Sequence, residues 1–355
     1  MPAAPWQPMR RWRDWHWLAG FGPVVGEKTV PDFGFYRPDT GVLRDHQPTG
    51  KPLVPVTFYR SYLTAADTDP VDATIAALET QGFEAVGIFA SSLKQPAAAK
   101  WMRTELARLS PAAIVNATAF SAQGADGQPS PLSDPGCPVF QIALSTARRK
   151  DWTEADRGLS PADLAMHVVL PEVDGRIFAG VASFKQPGRK DPDLEYSRFA
   201  HRADQGRIAQ VVARVAAWHR LATLPARDKR LALVLSSYPG RDWNLAHAVG
   251  LDPLASVEGL MGALARDGHE FGEVPDMGKR LLEERISWPL ADYRTALDTL
   301  PGTLRDDLFA AWGAPETDPA TQGDQITFAA IRAGKALIAL QPERGEVQSR
   351  DDDYH

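Results

Sequence analysis

The sequence holds a single cysteine, Cys137, so no disulfide can form within the chain. That count suits a reducing compartment, and a cytoplasmic location is the expectation. In "DPGCPVFQ" the lone thiol has no base beside it and reads as a small residue at the start of a strand. No stretch approaches the run of about 18 apolar residues that a membrane helix requires, so no membrane partner is expected. Positive charge is in deficit: 39 Lys and Arg face 45 Asp and Glu, a formal net charge of −6. Nucleic-acid binders normally carry a basic face, so that class is disfavoured and no nucleic-acid partner is expected.

Several chemical signatures are missing as well. Gly-x-x-x-x-Gly-Lys-Ser/Thr occurs nowhere, and the chain is therefore not expected to hydrolyse ATP itself. No Gly-x-Ser-x-Gly elbow marks a serine hydrolase. The eight histidines (His16, His46, His167, His201, His219, His247, His269 and His355) form no His-x-x-x-His pair and no zinc-type spacing.

What is present fits an ordinary globular protein: 44% hydrophobic and 24% charged residues over 355 positions, enough for two or three domains. The N-terminus, "MPAAPWQPMRRWRDWHWLAGFG", carries Trp6, Trp12, Trp15 and Trp17 but no apolar core or cleavage site of a signal peptide. It reads as an amphipathic element packed on neighbouring protein. From about Gly20 to Lys51 the chain is rich in Pro and Gly, which predicts an irregular cover segment.

Strands and helices then alternate. "PLVPVTFYR" reads as a buried strand. "DPVDATIAALETQG" reads as a helix with Asp69 as N-cap, Pro70 at the first helical position, Val71, Ile75 and Leu78 as its core stripe and Gly82 as its stop. "EAVGIFA", "PAAAKWMRTELARL", "AAIVNATAF" and "PVFQIAL" continue the series. A long helix, "DQGRIAQVVARVAAWHRLATL", presents Ile208, Val211, Val212, Val215 and Trp218 on one face. Beyond it come a strand in "RLALVLSSYPG", a helix from Asp252 and Pro253 to the stop at Gly268, further helices, and two strands joined through "RAGK". The expected fold is α/β: two Rossmann-like, parallel-sheet lobes under an irregular N-terminal cover. The boundaries are 1–50 for the cover, 51–225 for the first lobe with an appended hairpin and helix, and 226–355 for the second lobe.

In open parallel sheets ligands sit beyond the carboxyl ends of the strands. Those ends are polar here: "FYRSY" offers Tyr59, Arg60 and Ser61, "FASSLK" offers Ser91, Ser92 and Lys94, and "NATAFS" offers Thr118 and Ser121. Hydroxyls in loops also bond nearby backbone, and both readings stay open at this point. The stretch "GLSPADLAMHVVLPEVDGRIFAGVASFK" joins a capped helical turn to His167 and to the carboxylates Glu172 and Asp174. Two residues apart on extended chain, the carboxylates would face one cavity. Pro-x-x-Asp-Gly is equally a turn-forming string.

Four strings carry a resemblance: "PVTFYRSYLTAADTDPVDATIAALETQGFEAVGIFASSLKQP", "RGLSPADLAMHVVLPEVDGRIFAGVASFK", "LALVLSSYPGRDWNLAHAVGLDPLASV" and "ALIALQPERG". In this order they resemble the large subunits of aerobic cobaltochelatases, the CobN family, and more distantly the H subunits of magnesium chelatases. The similarity runs from about Gly20 to His355, and "SSLK" with "LSPADLAMHVVLPEVDGRI" tilts it towards the cobalt enzymes.

The resemblance implies a subunit that holds a tetrapyrrole during ATP-dependent insertion of Co2+ into hydrogenobyrinic acid a,c-diamide, in cobalamin biosynthesis. Co2+ is then a substrate, no cofactor is bound by this chain, and ATP is used by AAA+ partner subunits of the CobS and CobT type. It further implies that family members are several times longer. The sequence then represents one part of the large subunit, its second lobe cut short and the catalytic residues outside it. Arms of the macrocycle need Arg, Lys, amide and hydroxyl partners. Tyr59, Arg60, Ser91, Ser92, Lys94, Thr118, Tyr238, Arg241, Asn244, Gln341 and Arg344 are the candidates. His167, Glu172, Asp174 and His247 are the candidates for metal contact or for shaping the cleft. The alternatives are a magnesium chelatase H subunit acting on protoporphyrin IX, or a non-catalytic module whose two α/β lobes close on a ligand.

Overall fold

The structure, a computed structural model, describes residues 30–124, 127–156, 158–188, 190, 193, 195, 197–236 and 250–342. The tryptophan-rich N-terminus and the candidates Tyr238, Arg241, Asn244, His247 and Arg344 lie outside the described residues. Contacts divide the chain into two compact units, Met1–Ala222 and Thr223–His355.

The first unit is built on eight strands: β1 (Phe33–Arg37), β2 (Gly41–Leu43), β3 (Leu53–Tyr59), β4 (Glu84–Ala90), β5 (Ile114–Asn116), β6 (Val139–Ser145), β7 (Ile177–Pro187) and β8 (Phe199–Ala203). They lie in the order β2-β1-β4-β3-β5-β6-β7-β8. The five central strands, from β4 across to β7, are parallel, and the pairs at both margins are antiparallel. Its helices are α1 (Arg60–Thr64), α2 (Asp69–Thr80), α3 (Pro96–Leu109), α4 (Arg149–Glu154), α5 (Pro161–Leu164), α6 (Leu170–Glu172) and α7 (Gln205–Thr223). Val54, Val56 and Phe58 face α2 and α7, where they meet Val71, Ile75, Leu78, Ile208, Val211 and Val215. Alternate positions, Leu53, Val86, Ile88 and Ile114, face Met102, Leu106 and Leu109 of α3. Strands buried on both faces explain the nearly continuous apolar runs of β3, β4 and β6. Each fully buried Phe, such as Phe58 and Phe140, contributes about 1.5–3 kcal/mol.

Three local expectations change. Residues 33–43 are not irregular cover but a hairpin whose β1 pairs with β4 and extends the sheet. Glycine lets side chains of the two flanking strands pack over β4: a Cβ on Gly87 would stand 3.0–3.1 Å from Phe58 and Tyr36. The N-cap of α2 is Thr68 rather than Asp69, whose carboxylate instead accepts a hydrogen bond from the Ala203 amide at 2.8 Å. Trp218 also leaves the predicted buried stripe of α7. It sets its edge on Phe140 and stays 44% exposed.

The second unit has β9 (Leu231–Leu235), α8 (Pro253–Arg266), α9 (Met277–Glu283), β10 (Arg285–Pro289), α10 (Leu290–Asp298), α11 (Gly302–Trp312), β11 (Thr321–Gln322), β12 (Gln325–Ala333) and β13 (Ala336–Leu340). Asp252 caps α8 as the sequence predicts, accepting from the Ala255 amide at 3.0 Å. The sheet order is β10-β12-β13-β9, with β11 beside β12. Among its described strands only β13 and β9 run parallel, so this sheet is mixed rather than Rossmann-like. Val257, Met261, Met277 and Leu281 cover one of its faces. Among the described residues no helix is long and apolar enough to cross a membrane.

Candidate functional site

The parallel strands of the first unit follow the order β4-β3-β5-β6-β7, so the connections that follow β3 and β5 run to opposite sides. In open parallel sheets such a reversal marks the usual ligand position, here at the carboxyl ends of β3 and β5. Polar residues converge there from within the strands. Register aligns Thr57 with Asn116 and Asn116 with Gln141, one residue from each of three adjacent strands. All three are buried. Thr57 and Thr118 donate to Asn116 Oδ1, and Asn116 Nδ2 donates to Gln141 Oε1 at 2.6 Å. Gln141 Nε2 donates to the Thr118 and Ile142 carbonyls at 2.9 and 3.0 Å. Enclosed amides are expensive unless paired, and these are paired in series.

The series continues into charge. Arg176 Nη1 reaches Gln141 Oε1 at 3.2 Å, and Nη2 donates to Asp174 Oδ2 at 2.7 Å. Both side chains are enclosed, at 1% and 0% exposure. Asp174 also accepts from the Ser121 hydroxyl and from the Ala122 amide at 2.7 Å. Burial pulls Arg176 below its usual pKa, against the opposing pull of Asp174. Tyr59 donates to the Ala119 carbonyl at 2.6 Å, and burial raises its pKa despite the Arg176 charge nearby.

A second buried group lies alongside. Asp163 accepts from the Ser145 hydroxyl, the Thr146 amide and the Thr146 hydroxyl at 2.8–2.9 Å. His167 sits one turn on, in a π-helical turn, Ala165–Val169. Its Nδ1 is buried without a hydrogen-bond partner, and burial lowers its pKa against the raising effect of Asp163. His201 meets Ser183 Oγ through Nδ1 at 3.0 Å, and its ring packs edge-on against Tyr62. Burial, then Lys185 and His167, bring His201 down to about 4. Burial, then Asp67, pushes Tyr62 up to about 12. Both imidazoles are therefore neutral at pH 7.

Of the described candidates, Tyr59, Thr118, Asp174 and His167 belong to these buried groups, while Arg60, Ser91, Ser92 and Lys94 follow the ends of β3 and β4 without joining them. Arg60 is engaged by the Val30 and Pro31 carbonyls at 2.7–3.2 Å and pins the start of the described chain. Ser91 bonds Asp32, Ser92 accepts from the Lys94 amide, and the Lys94 side chain is exposed. For Ser92 the local-backbone reading of loop hydroxyls holds. Gln341 belongs to the second unit, just after β13, where its amide bonds the Leu235 carbonyl.

Glu172 and Asp174 do not share a cavity. Residues 170–172 are helical and a tight turn follows, with the Gly175 amide on the Glu172 carbonyl at 2.8 Å. The extended-chain alternation that would align them is absent, so Glu172 faces solvent while Asp174 is enclosed. Cys137 is half-buried and pushed up to about 11 by burial, which keeps it a thiol. Among the described residues no group of three His, Cys, Asp or Glu is placed to hold a metal ion.

Sequence reasoning missed Thr57, Asn116, Gln141, Asp163, Arg176 and His201. A signal existed for three of them: each of "LVPVTFY", "IVN" and "VFQIALS" carries an amide or hydroxyl inside an otherwise apolar strand.

Comparison with known proteins gives a consistent result. Residues 17–355 match the family described as CobN/Magnesium Chelatase. The aerobic cobaltochelatase CobN protein of Sinorhizobium sp is 35% identical over 323 residues, covering 86% of this chain and 25% of that protein. The magnesium-chelatase H protein of Rhodobacter capsulatus is 25% identical over 365 residues, covering 94% of this chain and 30% of that protein. Among solved structures, the catalytic component of cobaltochelatase from Mycobacterium tuberculosis superposes with a TM-score of 0.71 at 29% identity, covering 97% of this chain and 30% of that one. The chain thus spans about a quarter of the length of the CobN relative.

Proposed function

Because the chain belongs to the CobN/magnesium chelatase family, we propose that it supplies part of the tetrapyrrole-receiving surface of a cobaltochelatase large subunit. On this reading the macrocycle is hydrogenobyrinic acid a,c-diamide and the metal delivered to it is Co2+. Cobalt is favoured over magnesium by the higher identity to the CobN relative, 35% against 25%. The absence of a P-loop motif in the sequence fits a division of labour in which AAA+ partners of the CobS and CobT type hydrolyse ATP.

The observation that carries the reading is the buried polar series from Thr57 to Asp174 at the carboxyl edge. It ties the "PEVDG" turn, through Asp174, to the strand ends and to the Ser121–Ala122 loop. Preorganised support of that kind is what a site for a large ligand needs. Metal insertion requires that ring N–H protons leave to a base and that Co2+ exchange water for protein donors. Glu172, exposed on the turn that the series holds, is the carboxylate suited to either task. His167 and Asp174 act behind it, shaping and holding the turn. Tyr59 and Thr118 shape the floor.

The test is titration of the chain with hydrogenobyrinic acid a,c-diamide, followed by absorbance and tryptophan quenching, with and without Co2+. Saturable micromolar binding is expected. No binding at millimolar ligand would overturn the assignment of the ring to this part of the large subunit.

A further inference from the structure

The segment from Pro161 to Arg176 is built inside out. Asp163, His167 and Pro171, spaced i, i+4 and i+8, are buried. Apolar residues between and after them reach water instead: Leu164, Val169, Leu170 and Val173 are 38–61% exposed. An isolated soluble helix does the reverse.

Phe120 belongs to the same surface. Its amide bonds the Met166 carbonyl at 2.8 Å, while the next two residues, Ser121 and Ala122, hold the Asp174 carboxylate. The loop is thus fastened to both ends of the exposed stretch. Phe120 adopts φ 65, a left-handed conformation uncommon for a bulky side chain, and is 47% exposed there. Strain of this kind persists only where surrounding bonds impose it, and it gathers at ligand sites.

We propose that Phe120, Val169, Leu170 and Val173 form an apolar ledge that seats one face of the tetrapyrrole macrocycle, a proposal that rests on the function proposed above. The ledge lies at the carboxyl end of β5, beside the switch point of the sheet, where open α/β sheets take small ligands. Its aromatic and branched residues suit the apolar face of a macrocycle, and Glu172 is the exposed carboxylate within the same turn.

Two variants of the full chain test it with hydrogenobyrinic acid a,c-diamide as probe. Phe120→Gly removes the ring and also relieves the left-handed strain. It should lower affinity about tenfold or more while leaving Tm unchanged or raised. Val173→Ser, at a site already in water, should lower affinity about threefold to tenfold with no change in Tm. If the parent binds and both variants bind equally well, the ledge is wrong and the broader function stands. If the parent does not bind, both fall. Self-association of the parent in sedimentation, abolished by both variants, would assign the ledge to a second copy and overturn its role as a ring seat.

Discussion

The two units use the same ingredients with opposite exposure. In the first, β3, β4 and β6 are buried at nearly every position, with helices on both faces. In the second, β9 alternates half-buried with exposed residues, and four of the five residues of β10 are exposed. The difference decides where polar chemistry can be kept dry. An amide or a guanidinium inside the first sheet is cut off from water and must find protein partners, so its geometry becomes fixed. The second sheet has one well-covered face and no comparable buried charge among its described residues.

The largest expected effect breaks that contrast at its centre. Arg176→Met strands the Asp174 carboxylate in an enclosed site, and the first unit should lose roughly 3–5 kcal/mol in urea unfolding. A loss under about 1 kcal/mol would mean that water reaches the pair.

A second effect follows from His201, buried and neutral in the folded chain, with its pKa brought from 6.5 to about 4. Between those values the unfolded chain binds the proton and the folded chain does not, so stability falls as pH drops. The contribution is complete above pH 6.5 and gone by pH 4, about 3 kcal/mol in all. Urea melts at pH 7 and 4.5 should show a steep dependence in the parent and a flatter one in His201→Asn. Equal slopes would place the histidine in water.

The smallest effect sharpens the comparison from the other side. Val234, 61% exposed on β9, should tolerate Ser within about 0.5 kcal/mol by thermal melting. A change of about 2 kcal/mol or more would show that this face of the second sheet is covered.

The architecture between Leu53 and Ser145 was legible because its signals are local. Apolar strands such as "EAVGIFA" and the Pro-started α3 carry their own boundaries. The hairpin at 33–43 was not legible, since strands of five and three residues beside glycines imitate a loop. Half of the site was hidden for a different reason. Loop hydroxyls at Tyr59, Thr118 and Ser121 were visible by composition, but Asn116 and Gln141 matter only because register sets them side by side. Register is a property of strand pairs, and no single strand states it. Arg60 and Ser91 show the converse, residues of the right chemistry whose partners are the carbonyls of a distant segment.

The π-helical turn at Ala165–Val169 has a geometric consequence. Its hydrogen bonds reach one residue further than those of an α-turn, so it holds one residue more than the flanking helix would. Each residue advances an α-helix by about 100°. That surplus residue therefore acts as a clocking tooth: it sets the rotational phase at which everything from Leu170 to Arg176 meets the sheet. The wide turn is what lets one short segment point a salt bridge inward and its valines outward at the same time.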